Sequence, residues 1–138
     1  MSAPYGTPVE FKAKLLESLA NHRIKCALMC SEDIGDSLDA GYFNSSGEIS
    51  GEGYDSGGQE LSGFRVMTDG NCAFATWANP TWGPNASIPE VDTAVIHDAD
   101  QGGLILGVYK FDYCSVRNGT FMLELPEATA TEALVRIR

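Results

Sequence analysis

The chain has 138 residues, 43% of them hydrophobic, and a formal net charge of −10 from 19 acidic and 9 basic side chains. That length suits a single domain with a core that needs neither metal nor disulfide, and the apolar content is too high for a disordered chain. The acidic excess repels phosphate backbones and anionic membrane surfaces, so it argues against nucleic acid and membrane as partners and favours a partner with a basic patch.

Residues 1–8 hold two prolines, a glycine and small polar residues, and read as an extended arm ahead of one β-rich domain over 9–138. No run approaches the roughly 20 apolar residues of a membrane span. The opening MSAPYGTPVEFK lacks the basic and apolar regions of a secretory signal, so a cytoplasmic site of synthesis is expected. Pro8 opens a helix over VEFKAKLLESLA, with Thr7 as N-cap, Pro8 at N1 and Glu10 in the favourable first turn. Phe11, Leu15, Leu16 and Leu19 fall on one helical face, which predicts that this face meets the core.

From His22 onward the period shortens to that of strands. RIKCALMC places Ile24, Cys26, Leu28 and Cys30 on one side. Residues 31–47 are acidic and polar, a loop. GEISGEGYDSGGQELSGF follows, with six glycines in eighteen residues. FRVMT and CAFATW flank Asp69–Gly70–Asn71, a hairpin signal. Residues 79–89, with three prolines, read as loop. VDTAVIHD, GLILGVYKFDY, GTFMLEL and TEALVRIR are strand candidates, with Asn118–Gly119 as a further turn. One helix and six to eight short strands, without βαβ alternation, predict an antiparallel β-sandwich or small barrel with the helix over an edge or end. Ile24, Leu28, Val66, Phe74, Val95, Ile96, Leu106, Val108, Phe121 and Leu123 are the expected core.

Several constellations test for chemistry. The glycine-rich stretch has no lysine and carries Glu48, Glu52 and Asp55, so it is no phosphate-binding P-loop, and no helix follows it for a dinucleotide site. Apolar Ile49, Tyr54 and Leu61 argue against a flexible linker. An ordered loop or irregular edge strand remains, its glycines allowing tight turns and close approach while Tyr54 pins it to the core. Cys26, Cys30, Cys72 and Cys114 lack the paired spacing of zinc ligands and read as buried thiols. Asp98, Asp100 and Gly102 match half of a calcium loop, but the downstream glutamate is missing, and the same residues make a turn without metal. His22 reads as a polar cap after the helix. His97 and Asp98 are strand neighbours that point to opposite faces. No catalytic residue, cofactor or metal is therefore assigned. Asn44, Asn85 and Asn118 head Asn-x-Ser/Thr triplets and read as turn residues. Trp77 belongs to the core, while Trp82 is either core or an exposed aromatic site for sugar or protein.

A longer pattern resembles a family of small structural proteins of tailed bacteriophages. The signature E-x-S-G-x-G-Y-x-x-G-G-x-x-L is matched by Glu48, Ser50, Gly51, Gly53, Tyr54, Gly57, Gly58 and Leu61. Around it stand a helix ending like Lys14-Leu15-Leu16, a strand like Ile24 to Met29, a strand end Thr76-Trp77, an A-V-I-x-D strand at Ala94, Val95, Ile96 and Asp98, and a strand like Leu104 to Phe111. The likeness covers roughly residues 9 to 112; the 31–47 loop and the segment after Asp112 depart from it. It implies a non-enzymatic virion component, foremost a capsid cement or decoration protein that binds the phage major capsid protein as a dimer or trimer, with the neck or tail as the alternative position. A soluble carbohydrate- or protein-binding domain and a small enzyme are the readings outside that family. In the cement reading the glycine stretch is a scaffold loop, and Pro4, Tyr5 and Pro8 of the arm, with Trp82, are the contact candidates.

Overall fold

The computed structural model describes residues 7–33, 41–129 and 131–137. Pro4 and Tyr5 lie outside the described residues. The fold is mainly β, two antiparallel sheets with one N-terminal helix, sandwich-like and not a closed barrel. In chain order come α1 (Val9–Glu17), β1 (Ile24–Met29), β2 (Gln59–Glu60), β3 (Arg65–Asp69), β4 (Cys72–Thr76), β5 (Thr81–Asp98), β6 (Leu104–Met122) and β7 (Val135–Ile137). One sheet has the order β2-β1-β5-β6, the other β3-β4-β7.

The main core lies between these sheets. Ile24, Cys26, Leu28, Ala94 and Ile96 of the first meet Ala73, Ala75 and Trp77 of the second, and Leu16 and Leu19 join them. Alternate residues of the first sheet point the other way, where Met29 and Val95 pack with Phe43, Ile105 and Val108. Both faces of the β1–β5 pair are thus covered. That is why β1 is buried almost throughout although its sequence suggests alternation. The β3–β4 hairpin turns at Gly70–Asn71, with Asp69 opposite Cys72 and Gly70 at φ 60, as the Asp-Gly pair predicts.

Four expectations are corrected. Pro8 is the N-cap and not N1, and the helical face is rotated: Phe11 is 56% and Leu15 48% exposed, whereas Lys12 is 7% exposed. Lys12 lays its aliphatic stem on the core and sends Nζ to the carbonyl of Asn71 at 2.7 Å, so a long amphipathic side chain occupies the position that pattern gives to an apolar one. The proline-rich 79–89 segment is the first half of β5. Its prolines are tolerated because the ladder with β6 is interrupted there, with register shifts between Trp82 and Ala86 and again between Ile88 and Val91. Asn118–Gly119 makes no hairpin: GLILGVYKFDY and the start of GTFMLEL belong to one strand, β6, which ends at Met122, and Asn118 takes a left-handed φ of 51 where the register slips, the role of a bulge.

Ile24, Leu28, Phe74, Val95, Ile96, Phe121 and Leu123 are buried as expected. Val66, Leu106 and Val108 are half-buried; β3 and β6, which carry them, are the outer strands of their sheets. The four cysteines are thiols. Cys26 is fully buried, and burial pushes its thiol up to about 12; against expectation, Cys30 is only half-buried and Cys114 is exposed.

Gly58 has φ 93, and a Cβ there would lie 2.0 Å from the carbonyl oxygen of Cys26. Gly102 has φ 69 but open space around it. Gly58→Ala is expected to lower the unfolding free energy by roughly 2–4 kcal/mol, against about 1 kcal/mol for Gly102→Ala. Urea denaturation of both variants checks this, and equal losses would contradict the close packing described.

Candidate functional site

The glycine-rich signature forms an organised polar network, and its geometry follows from the edge of β1. Residues 48–61 run antiparallel along that edge. Glu48 bridges to Met29, and the Ile49 N–H donates to the Leu28 carbonyl at 3.2 Å. The ladder resumes at Cys26–Gln59 and Lys25–Glu60, and the Leu61 N–H reaches the Ile24 carbonyl at 2.7 Å. Between these points the chain leaves the edge, so the Leu28 N–H has no strand neighbour. The Tyr54 hydroxyl takes that place, accepting from it at 2.9 Å. The same hydroxyl donates to Glu48 Oε2 at 2.5 Å, and that oxygen also accepts the Gly57 N–H at 2.8 Å. Burial first, and then the bond to Glu48, holds the phenol far above its ordinary pKa, so it stays a donor at any pH the fold meets.

The glycines serve this excursion. At Gly51 a Cβ would fall 2.0 Å from the carbonyl oxygen of Ser87 on β5. Gly53 and Gly57 have positive φ, and Glu52 accepts from the Ser87 N–H at 2.8 Å. Gly51, Gly53, Tyr54, Gly57 and Gly58 thus sit together, as an irregular edge segment with Tyr54 on the core. The role of Glu48 as the acceptor that closes it is visible only in three dimensions.

Two further polar sites flank this edge. His97 is 3% exposed, stacks on Phe43 with ring centroids 4.4 Å apart, and donates from Nε2 to the Gly57 carbonyl at 2.8 Å. Among the described residues its buried Nδ1 has no partner, and burial holds its pKa below the ordinary value. Asp98 points elsewhere, as strand geometry demands. Fully buried, it accepts from His22 Nδ1 at 2.5 Å, from Gln101 Nε2 at 2.6 Å and from the Asp100 N–H at 2.9 Å. Asp100 grips Arg23 through its backbone N–H and Nε, at 2.7 and 3.0 Å. The Asp-x-Asp-x-Gly run is therefore a turn that clasps the linker between α1 and β1, and His22 belongs to this clasp and does not cap the helix. These donors hold both carboxyls below the usual range against the cost of burial.

The contact candidates separate. Trp82 is 2% exposed, edge-on to Phe121 at 5.7 Å and stacked with Tyr54 at 6.2 Å. It is core, and its place as an exposed aromatic site is withdrawn, because the segment read as a loop is a strand facing the main cluster. Pro8 is exposed and leads directly into Phe11 and Leu15. Tyr113, 56% exposed, and Met122, 63% exposed, form further apolar points on β6, which pairs on one side only among the described strands. Comparison of the chain with protein-family models, with curated proteins and with solved structures finds no match.

A histidine whose folded pKa is depressed favours the neutral form, so its contribution to stability is complete above the unfolded value near 6.5 and is lost as pH falls below it. The melting temperature is expected to drop between pH 7 and 5.5, and His97→Gln to flatten that slope. The carboxylates Asp98, Asp100 and Asp92, the last accepting from the Ser31 N–H and hydroxyl, have depressed pKa values and give a second loss only below about pH 4. Identical slopes for the native and His97→Gln proteins would contradict this reading of His97.

Proposed function

We propose that the protein is a non-enzymatic structural component of a tailed-phage virion, foremost a cement protein that binds the outer shell of the capsid and stabilises the head. The observation that supports this reading most is the apolar pair Phe11 and Leu15, both about half exposed and one helical turn apart, immediately after the exposed Pro8. Exposed apolar groups gathered on one element mark interaction surfaces. Pro8, Phe11 and Leu15 thus offer one N-terminal contact strip. The glycine signature behind the family resemblance has a structural use throughout, as a scaffold should.

A cement protein need only bind. Its affinity for assembled shell shifts the balance toward the assembled state, and repetition over a symmetric lattice makes modest contacts sufficient. With a net charge of −10, rim contacts fall to basic patches on the major capsid protein, so binding weakens with salt.

Phe11→Ser/Leu15→Ser changes only exposed positions, so the domain stays folded and its melting temperature moves little. Added to particles that lack the protein, this variant is expected to show lower occupancy and less protection against heat than the native chain. Occupancy at every lattice position is the cement outcome. Binding at the neck or tail alone would move the assignment there, and failure of the native protein to bind particles would end it.

A further inference from the structure

We infer that the protein has a small-molecule site at the Trp77 end of the β3-β4-β7 sheet, suited to a compact apolar carboxylate. A cavity of about 200 Å³ opens there between the two sheets. Ala75 and Trp77 line it from one sheet, Ile96 from the other, and Leu125 and Leu134 from the chain that crosses toward β7. This crossing chain is held in place, since the Leu125 N–H donates to Asn79 Oδ1 at 2.9 Å. Native cores leave few voids larger than a water molecule, and an apolar cavity of about 150 Å³ stays dry and takes up apolar molecules. Two of its lining residues, Ala75 and Ala133, have small side chains.

The lining also includes a cationic side chain. This is Arg65, opposite Thr76 in the β3–β4 ladder. Among the described residues the Arg65 guanidinium forms no ion pair. In a chain with 9 basic against 19 acidic side chains, an arginine without an ion pair among the residues that line a mostly apolar cavity favours a ligand with an apolar body and an anionic head. Arginine presents a planar fork of donors that matches a carboxylate. The volume admits roughly eight non-hydrogen atoms, the size of a short-chain fatty acid. The inference stands apart from the virion reading and survives or fails without it.

Hexanoate is the probe and 1-hexanol its uncharged control, each titrated into the ¹⁵N-labelled protein while the Trp77 indole N–H and the Leu134 amide are followed. Hexanoate is expected to shift both signals saturably, with a Kd of about 1 mM or tighter, and 1-hexanol to bind roughly tenfold more weakly, the worth of one charge-assisted contact. Arg65→Gln, at an exposed site, should remove that difference while 1-hexanol binds as before. Ala75→Leu, which fills the cavity, should abolish binding of both. The inference is overturned if hexanoate gives no saturable shift, if 1-hexanol binds native protein as tightly as hexanoate, or if Arg65→Gln leaves the hexanoate Kd unchanged. The Arg65 variant decides the matter even if Ala75→Leu fails to fold.

Discussion

The architecture depends on how the outer edge of β1 is closed. β1 lies under cover on both faces, so each of its backbone polar groups needs a partner inside the protein. The segment that pairs with it departs after Ile49 and returns at Gln59, and the Leu28 N–H falls in the gap. A buried amide without a partner costs about 1–3 kcal/mol, a large share of the stability of a small domain. The Tyr54 hydroxyl fills the gap from a side chain, accepting from Leu28 and donating to Glu48. This one group explains why the signature needs a tyrosine, why a glutamate precedes it, and why glycines surround it. The excursion must fold back tightly enough to bring the ring under its own backbone, and must touch β1 and β5 at points where no Cβ fits.

The rest of the fold follows from that closed sheet. β5 is buried without interruption from Val91 to Asp98 because Phe43 packs over one face and the second sheet over the other. The β5–β6 hairpin is far longer than the strands beside it, and its five register shifts bend and twist it. Along it Trp82 and Phe121 face the main core, while Tyr113 and Met122 stay outside. At the opposite end, Asp98 and Asp100 tie the hairpin tip to His22 and Arg23, which fixes the start of β1 and the end of the helix. Buried charge is expensive unless saturated with donors, and Asp98 has three.

Much of this was legible in the sequence. The β class, the N-terminal helix, the Asp69–Gly70 hairpin and the Tyr54-pinned glycine segment all follow from local chemistry. What was not legible depended on tertiary partners. Lys12 displaces Phe11 and Leu15 from the core face because the Asn71 carbonyl waits for its ammonium group, a partner 59 positions away. Prolines 84 and 89 hid a strand, since nothing local shows that the ladder slips beside them. Trp82 followed the same error, a strand residue mistaken for a loop residue. Glu48 looked like one acid among several, because a carboxylate is recognised as an acceptor only once Tyr54 and Gly57 are placed around it. The Asp98–His22 clasp joins residues 76 apart, beyond any periodicity argument.

The decisive measurement is amide hydrogen exchange at Leu28, in the native protein and in Tyr54→Phe. If the tyrosine hydroxyl completes the edge of β1, the Leu28 amide in the native protein is protected like those of Val95 and Ile96 in the neighbouring strand. Removing the hydroxyl should then lower Leu28 protection by roughly tenfold or more beyond any change at Val95 and Ile96. Leu28 protection that changes only in step with Val95 and Ile96 would show that the hydroxyl is not what closes the edge, and the account of the glycine-rich signature would fall with it.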